Sequence, residues 1–242
     1  MSGIFYKLGK LAGPSVRKAK WVWDTATNTE QEAIKTEYQV GRDMATNIRS
    51  KFGLSRDEKT EKLINQVGRI LSDKVQNKLR HFQFESVSSK EPEAFCLPGG
   101  FIFVSSSMVE FCKWDQEEIA FVLAHEMAHI LEGHAMERMV SNSAAATASR
   151  LAAVRHPVAG LARKAGVKFI ERAYSQQQEL KADERGLRLM LAAGYRSEGG
   201  LEFLRKIEKC DSKSQLGKYF STHPSSETRI EHLRKLLNQI NE

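Results

Sequence analysis

Cysteine is scarce in this chain of 242 residues: Cys96, Cys112 and Cys210 are odd in number and far apart. With no CxxC pair, neither a thiolate metal knot nor a disulfide framework is indicated, and a reducing compartment is the natural reading. No run approaches the roughly 18 apolar residues that a membrane span needs. The opening stretch, MSGIFYKLGKLAGPSVRKAKWVWD, scatters its cations and has no continuous apolar core of the signal-peptide kind. The expectation is a cytoplasmic, uncleaved protein, with peripheral membrane contact as an added option. Internal repeats are absent, as is low complexity beyond a short alanine run. No nucleic-acid motif is recognisable, so no nucleic-acid partner is expected.

At 41% hydrophobic and 28% charged residues, the chain can bury a sizeable core. Its formal net charge of +7 favours acidic partners. Part of the excess is local, since residues 1 to 23 carry five Lys or Arg and no acid. Residues 1 to 30 interleave these cations with Ile4, Phe5, Leu8, Leu11, Val16, Trp21 and Val22. That is the texture of a basic amphipathic helix on an anionic membrane surface. An arm docked on the protein's own surface is the alternative.

Residues 30 to 52 read as a helix ending at Gly53. Residues 56 to 79 read as a second, with Leu63, Ile64, Val67, Ile70, Leu71 and Val75 at helical spacing. The texture then changes. HFQFESV alternates like a half-buried strand, and EAFCLPGGFIFVSSSMV sets a Pro-Gly-Gly turn between two apolar runs, which suggests a hairpin. Asp115 and Glu118 offer a capping box for the helix that follows. Ser175 and Gln178 offer another ahead of ELKADERGLRLMLAAGY, with Gly194 as its stop. THPSSETRIEHLRKLLNQINE reads as a loop and a terminal amphipathic helix.

The helix after Asp115 contains AFVLAHEMAHILEGH, among the most apolar stretches of the chain, yet it holds two histidines and a glutamate. Burying those groups is costly unless something pairs with them. HEMAH fits H-E-x-x-H. Positions i and i+4 share a helix face, so His125 and His129 can aim two imidazole nitrogens at one Zn²⁺. Glu126, one residue round, can reach a water on that metal and take its proton. The plain alternative is a buried helix whose polar groups pair among themselves. A catalytic zinc wants a third protein ligand and an open position. In ELKAD, Glu179 and Asp183 are also i and i+4. Glu179 can complete the site, while Asp183 can accept the far N–H of a zinc-bound histidine. His134 and His156 fall off the ligand face and read as structural, and the cysteines receive no catalytic role.

EAFCLPGGFIFVSSSMVEF, LAHEMAHILEGH, ELKADERGLRLMLAAGY and STHPSSETRIEHL resemble, in order and texture, the gluzincin peptidases that include HtpX, the CAAX prenyl proteases and the Oma-type mitochondrial peptidase. The likeness covers roughly residues 58 to 240 and is nearest to the soluble or peripheral Oma-type branch. It implies an α+β, mainly helical, zincin-like domain with a small β-sheet or hairpin beside the HExxH helix. The expected division is a basic arm and helix over residues 1–55 and a catalytic domain over 56–242. The resemblance further implies a zinc endopeptidase with one Zn²⁺ per chain on His125, His129 and Glu179, and with Glu126 as general base and acid. Asp183 matches the family's outer acid.

Members commonly carry a histidine where His223 sits, either to bond the oxyanion or to cap the zinc. Arg229 could pair with Asp183 or Glu179 and hold the last helix against the site. GGFIFVS gains a role as an exposed strand that binds an extended polypeptide by strand addition. The expected substrates are unfolded or damaged proteins; a latent or chaperone-like polypeptide binder is the alternative. Because nothing here can span a bilayer, prenylated CAAX substrates are discounted. The Ala-rich, basic residues 135 to 178 are expected to form a lid.

Overall fold

The computed structural model describes residues 29–55, 57–139, 173–210, 223 and 226–241. The basic arm, His156 and most of the expected lid therefore lie outside the described residues.

The first helix, α1 (Glu30–Phe52), begins at a capping box in which Thr29 and Glu32 satisfy each other's backbone N–H. Helix α2 spans Glu58–Asp73 behind an Asp57 cap. It stops six residues short of the expected Leu79, and an Asn77 side chain that accepts the Leu79 N–H turns the chain instead. Strands β1 (Gln83–Val87), β2 (Ala94–Leu97) and β3 (Phe101–Ser105) follow, with Pro98–Gly100 as the turn between β2 and β3. The expected hairpin is there. A short helix, α3 (Ser106–Phe111), leads to α4 (Gln116–Leu131), which carries HEMAH. After a turn, residues 134–139 are helical. The remaining described helices are α5 (Gln176–Ala192), α6 (Glu198–Glu208) and α7 (Ser226–Asn241).

The sheet order is β1-β3-β2, with β1 parallel and β2 antiparallel to β3. FIFVS is therefore the central strand, and all five of its residues are buried. This corrects its expected role as an exposed strand: it has no free edge to offer. Its unbroken apolar run follows from being covered on both faces. Phe101 and Phe103 pack with Val40, Met44 and Ile48 of α1, while Ile102 and Val104 join the α2 and α4 core. Each such side chain contributes roughly 1.5–3 kcal/mol by leaving water.

Helix α4 is buried all round, from Glu118 to Ile130 without interruption. Asp115 caps it by accepting the Glu117 and Glu118 N–H groups. The second half of the expected box is missing, because the Glu118 carboxylate pairs with Lys206 of α6 instead. Helix α5 starts at the Ser175–Gln178 box and ends just before Gly194 at φ 86°, as expected. It lies against α4 at Gly186, where a Cβ would come 3.0 Å from the His125 backbone nitrogen and 3.1 Å from Ala124 C. The contact is backbone, so nothing there can swing away. Gly186→Ala is expected to lose about 1 kcal/mol in urea denaturation, overpacking outweighing the gain in helix propensity.

Candidate metal centre

One turn of α4 sets the Nε2 atoms of His125 and His129 3.1 Å apart. Helix α5, held close at Gly186, brings Glu179 Oε1 to 3.3 Å from His129 Nε2 and Oε2 to 3.6 Å from His125 Nε2. His223, just ahead of α7, places Nδ1 3.1 and 3.2 Å from the two Glu179 oxygens and 3.4 Å from His125 Nε2. Ligand atoms of these four residues all lie within 4.8 Å of one another. Two imidazole nitrogens 3.1 Å apart cannot both point bare lone pairs at each other; one holds a proton, or both face a shared cation. The donor set fits a metal. Beside it, both carboxylate oxygens of Glu126 are buried without a hydrogen-bond partner, an orientation that suits a reacting water rather than a structural bond.

The far sides of the imidazoles are held too. His125 Nδ1 lies 2.9 Å from Asp183 Oδ1. With that N–H donated, the Nε2 lone pair faces the centre. Arg229 grips Asp183 with both ends of its fork, Nε at 2.7 Å from Oδ2 and Nη2 at 2.8 Å from Oδ1, and its Nη1 reaches Glu179 Oε2 at 3.0 Å. The expected pairing of Arg229 with Asp183 or Glu179 is thus met by both. Arg229 is only 1% exposed and anchors α7 to α5.

His134, expected to fall off the ligand face, lies against His129. Its Nδ1 sits 3.0 Å from His129 Nδ1. Were His129 to hold a metal through Nε2, its Nδ1 would carry the proton and His134 Nδ1 would accept it. Gly133, at φ 74°, ends the helical path and re-aims the chain, so His134 does not follow the helical wheel. Tyr174 is a second residue that sequence reasoning passed over. Its ring lies flat on His129, centroids 3.7 Å apart and planes 12° apart, and its hydroxyl is 3.6 Å from Cys96 Sγ.

The electrostatics follow from burial and pairing. Burial alone would raise the Glu179 carboxyl, but His223 and Arg229, with hydrogen bonds from His129 and His223, hold it well below the usual range. Asp183 is likewise held down against burial by Arg229 and His125. Burial drives His129 well below an ordinary imidazole; burial also pulls His125 down, but the Asp183 hydrogen bond and the charges of Glu179 and Asp183 together raise it. Burial lifts the Cys96 thiol and the Tyr174 phenol well above their ordinary values, so both stay neutral. Asp183→Asn is expected to weaken binding of added zinc about 10- to 100-fold in competition with a chromophoric chelator, and to lower the thermal midpoint because Arg229 loses a charged partner.

None of these site residues is more than 5% exposed. The sheet edges differ. At β1, Ser86 N–H is taken by Glu61, Ser86 C=O by the Ser55 N–H and Phe84 C=O by Asn65. At β2, the Glu93–Ser105 bond sets a phase in which Ala94 and Cys96 face away from β3. There the Cys96 carbonyl receives Arg138 Nη2 at 3.4 Å, a long bond. The edge beside the metal centre is β2, not FIFVS.

Residues 57–237 match the model of peptidase family M48. The chain is 34% identical over 159 residues to the mitochondrial metalloendopeptidase OMA1 of Saccharomyces cerevisiae, covering 62% of this chain and 45% of that protein. It is 32% identical over 165 residues to its namesake in Arabidopsis thaliana, covering 67% and 33%. It is also 26% identical over 246 aligned positions to the beta-barrel assembly-enhancing protease of Escherichia coli, covering 96% and 50%. The chain thus spans half or less of the length of these relatives. Across most of its length, and over the helices that converge at His125, His129 and Glu179, the chain belongs to peptidase family M48.

Proposed function

We propose that the chain is a zinc-dependent endopeptidase that hydrolyses unfolded or damaged polypeptides, its catalytic unit beginning near residue 56. The observation that carries this is the convergence of His125, His129, Glu179 and His223 within 4.8 Å, with the unbonded carboxylate of Glu126 beside them. Imidazole nitrogens with one carboxylate suit zinc, one ion per chain, held by His125, His129 and Glu179. Bound zinc supplies Lewis acidity, polarising the scissile carbonyl and lowering the pKa of a reacting water.

The rest falls to the chain's own groups. Glu126 takes the proton of the attacking water and returns it to the departing amine nitrogen. Asp183 and His134 fix the two imidazoles, and Arg229 fixes Asp183 and Glu179 together. The position of β2 at the sheet edge, with the backbone of Ala94 and Cys96 turned away from β3, supports docking of an extended polypeptide there in place of the FIFVS edge expected from sequence.

His223 stands among the ligand atoms, with Nε2 3.5 Å from Glu126 Oε1. It fills the place a substrate would take, which favours a capping role. That position also supports a second reading, a latent or chaperone-like polypeptide binder at a membrane surface. Retention of Glu126 speaks for the enzyme, since a binder needs no general base.

The test is cleavage of casein by zinc-loaded protein. The wild type should cut, a chelator should abolish it, and Glu126→Gln should be about 100- to 10,000-fold slower with zinc content unchanged. Equal rates in the two proteins would mean a contaminant. His223→Ala is expected to cut several-fold faster than the wild type; a loss of activity instead would assign His223 to the oxyanion.

A further inference from the structure

Away from the metal centre, a pocket of about 370 Å³ opens between α1, residues 78–82 and the Pro98–Gly100 turn. That volume lies in the range of small-ligand sites, about 300–1,000 Å³. The turn is what lets its walls approach. Gly99 and Gly100 have φ of 77° and 102°, and a Cβ on them would come 2.4 Å from Tyr38 Cα and 1.9 Å from the His81 carbonyl oxygen. Only glycine allows the chain to adopt this turn with α1 and residue 81 so near.

The lining is one-sided in charge. Lys35, Lys78 and Arg80 contribute to it, and among the described residues no carboxylate does. The acid behind the wall is already engaged. Glu37 takes Arg80 Nη1 at 2.9 Å through one oxygen and the Gly99 N–H at 3.2 Å through the other. It thereby aims the guanidinium while using one of its five donors. Lys78 Nζ donates to the uncharged Asp73 carbonyl at 2.8 Å and forms no ion pair among the described residues.

The remaining wall is apolar and open. Tyr38 and Leu79 are 37% and 44% exposed, two of the few large apolar side chains left in solvent. Both line this pocket, and Tyr38 is fixed by stacking on Phe101 at 5.4 Å.

An ammonium pair and an oriented guanidinium beside an exposed apolar wall match an amphiphilic anion. We propose that this pocket binds an anionic phospholipid, its phosphate between Lys35, Lys78 and Arg80 and its first methylenes on Tyr38 and Leu79. Free phosphate would leave the apolar wall in water. An acidic peptide would find no strand to pair with, because no residue of β1, β2 or β3 lines the pocket. The proposal is independent of the peptidase reading.

The test is calorimetric titration of the full chain with soluble dihexanoyl phosphatidylglycerol. Dihexanoyl phosphatidylcholine, inorganic phosphate and oligoglutamate are the comparison ligands. Phosphatidylglycerol should saturate one site and bind at least about tenfold more tightly than the choline lipid or phosphate. Lys35→Gln and Lys78→Gln should each weaken it about fivefold and the pair about twenty-five-fold, from the attraction typical of one cation at a lipid surface. Leu79→Asp should weaken it as well. All three side chains are exposed, so these variants should keep the wild-type thermal midpoint.

The proposal is overturned by no binding, by equal binding of the choline lipid, by phosphate matching the lipid, or by a double variant with wild-type affinity. Oligoglutamate bound with the same sensitivity to Lys35 and Lys78 would reassign the pocket to an acidic polypeptide and overturn the lipid.

Discussion

The grip of Arg229 on Asp183, two bonds of 2.7 and 2.8 Å with almost no solvent contact, sets the terms for everything around the metal centre. Helix α4 is buried on all sides but still carries two imidazoles and a carboxylate. Such groups stay in an apolar interior only when other elements bring them partners. Asp183 answers His125, and Glu179 answers both histidines. Each of those carboxylates would be intolerable in its turn without a cation. Arg229 supplies one charge to the two of them and ties three helices, α4, α5 and α7, into one arrangement.

A buried network of this kind is weak evidence for stability, since desolvation consumes most of the gain. Its worth lies in geometry. An ion-binding site needs its donors held to a fraction of an ångström, and loose side chains on a loop cannot do that. Here one turn of helix sets the spacing of His125 and His129, Gly186 sets the distance to Glu179, and paired hydrogen bonds set the rotation of each ring. The backbone does the coarse work, and the charged groups do the fine adjustment.

Much of this was legible in the chain because it is local. Spacing of i and i+4 put His125 with His129 and Glu179 with Asp183 on shared faces before any fold was known. Asp115 and Ser175 start their helices by backbone bonding that reaches only two or three residues along. What could not be read is nonlocal or breaks a period. Nothing in FIFVS or AFCL says which is central; that depends on β1, about twenty residues upstream, pairing in parallel with β3. His134 was missed because a helical wheel was continued through Gly133, although a glycine there is a readable sign that the wheel ends. Tyr174 carries no sign of its partner, because its ring meets His129 across 45 positions of sequence. Helix α2 was read too long since Val75 keeps the apolar spacing beyond Asp73, where the helix has already ended.

The unequal edges of the sheet have a consequence for how such a molecule handles extended chains. A protein that grasps strands risks being grasped by them, and two open edges would let a client settle where no chemistry happens. Glu61, Asn65 and Ser55 occupy the outer backbone groups of β1, whereas among the described residues the β2 edge carries only the long Arg138 bond to the Cys96 carbonyl. On the function proposed above, a polypeptide docked along β2 would lie on the side of the sheet nearer Glu126, steered there by hydrogen bonds made at the opposite edge.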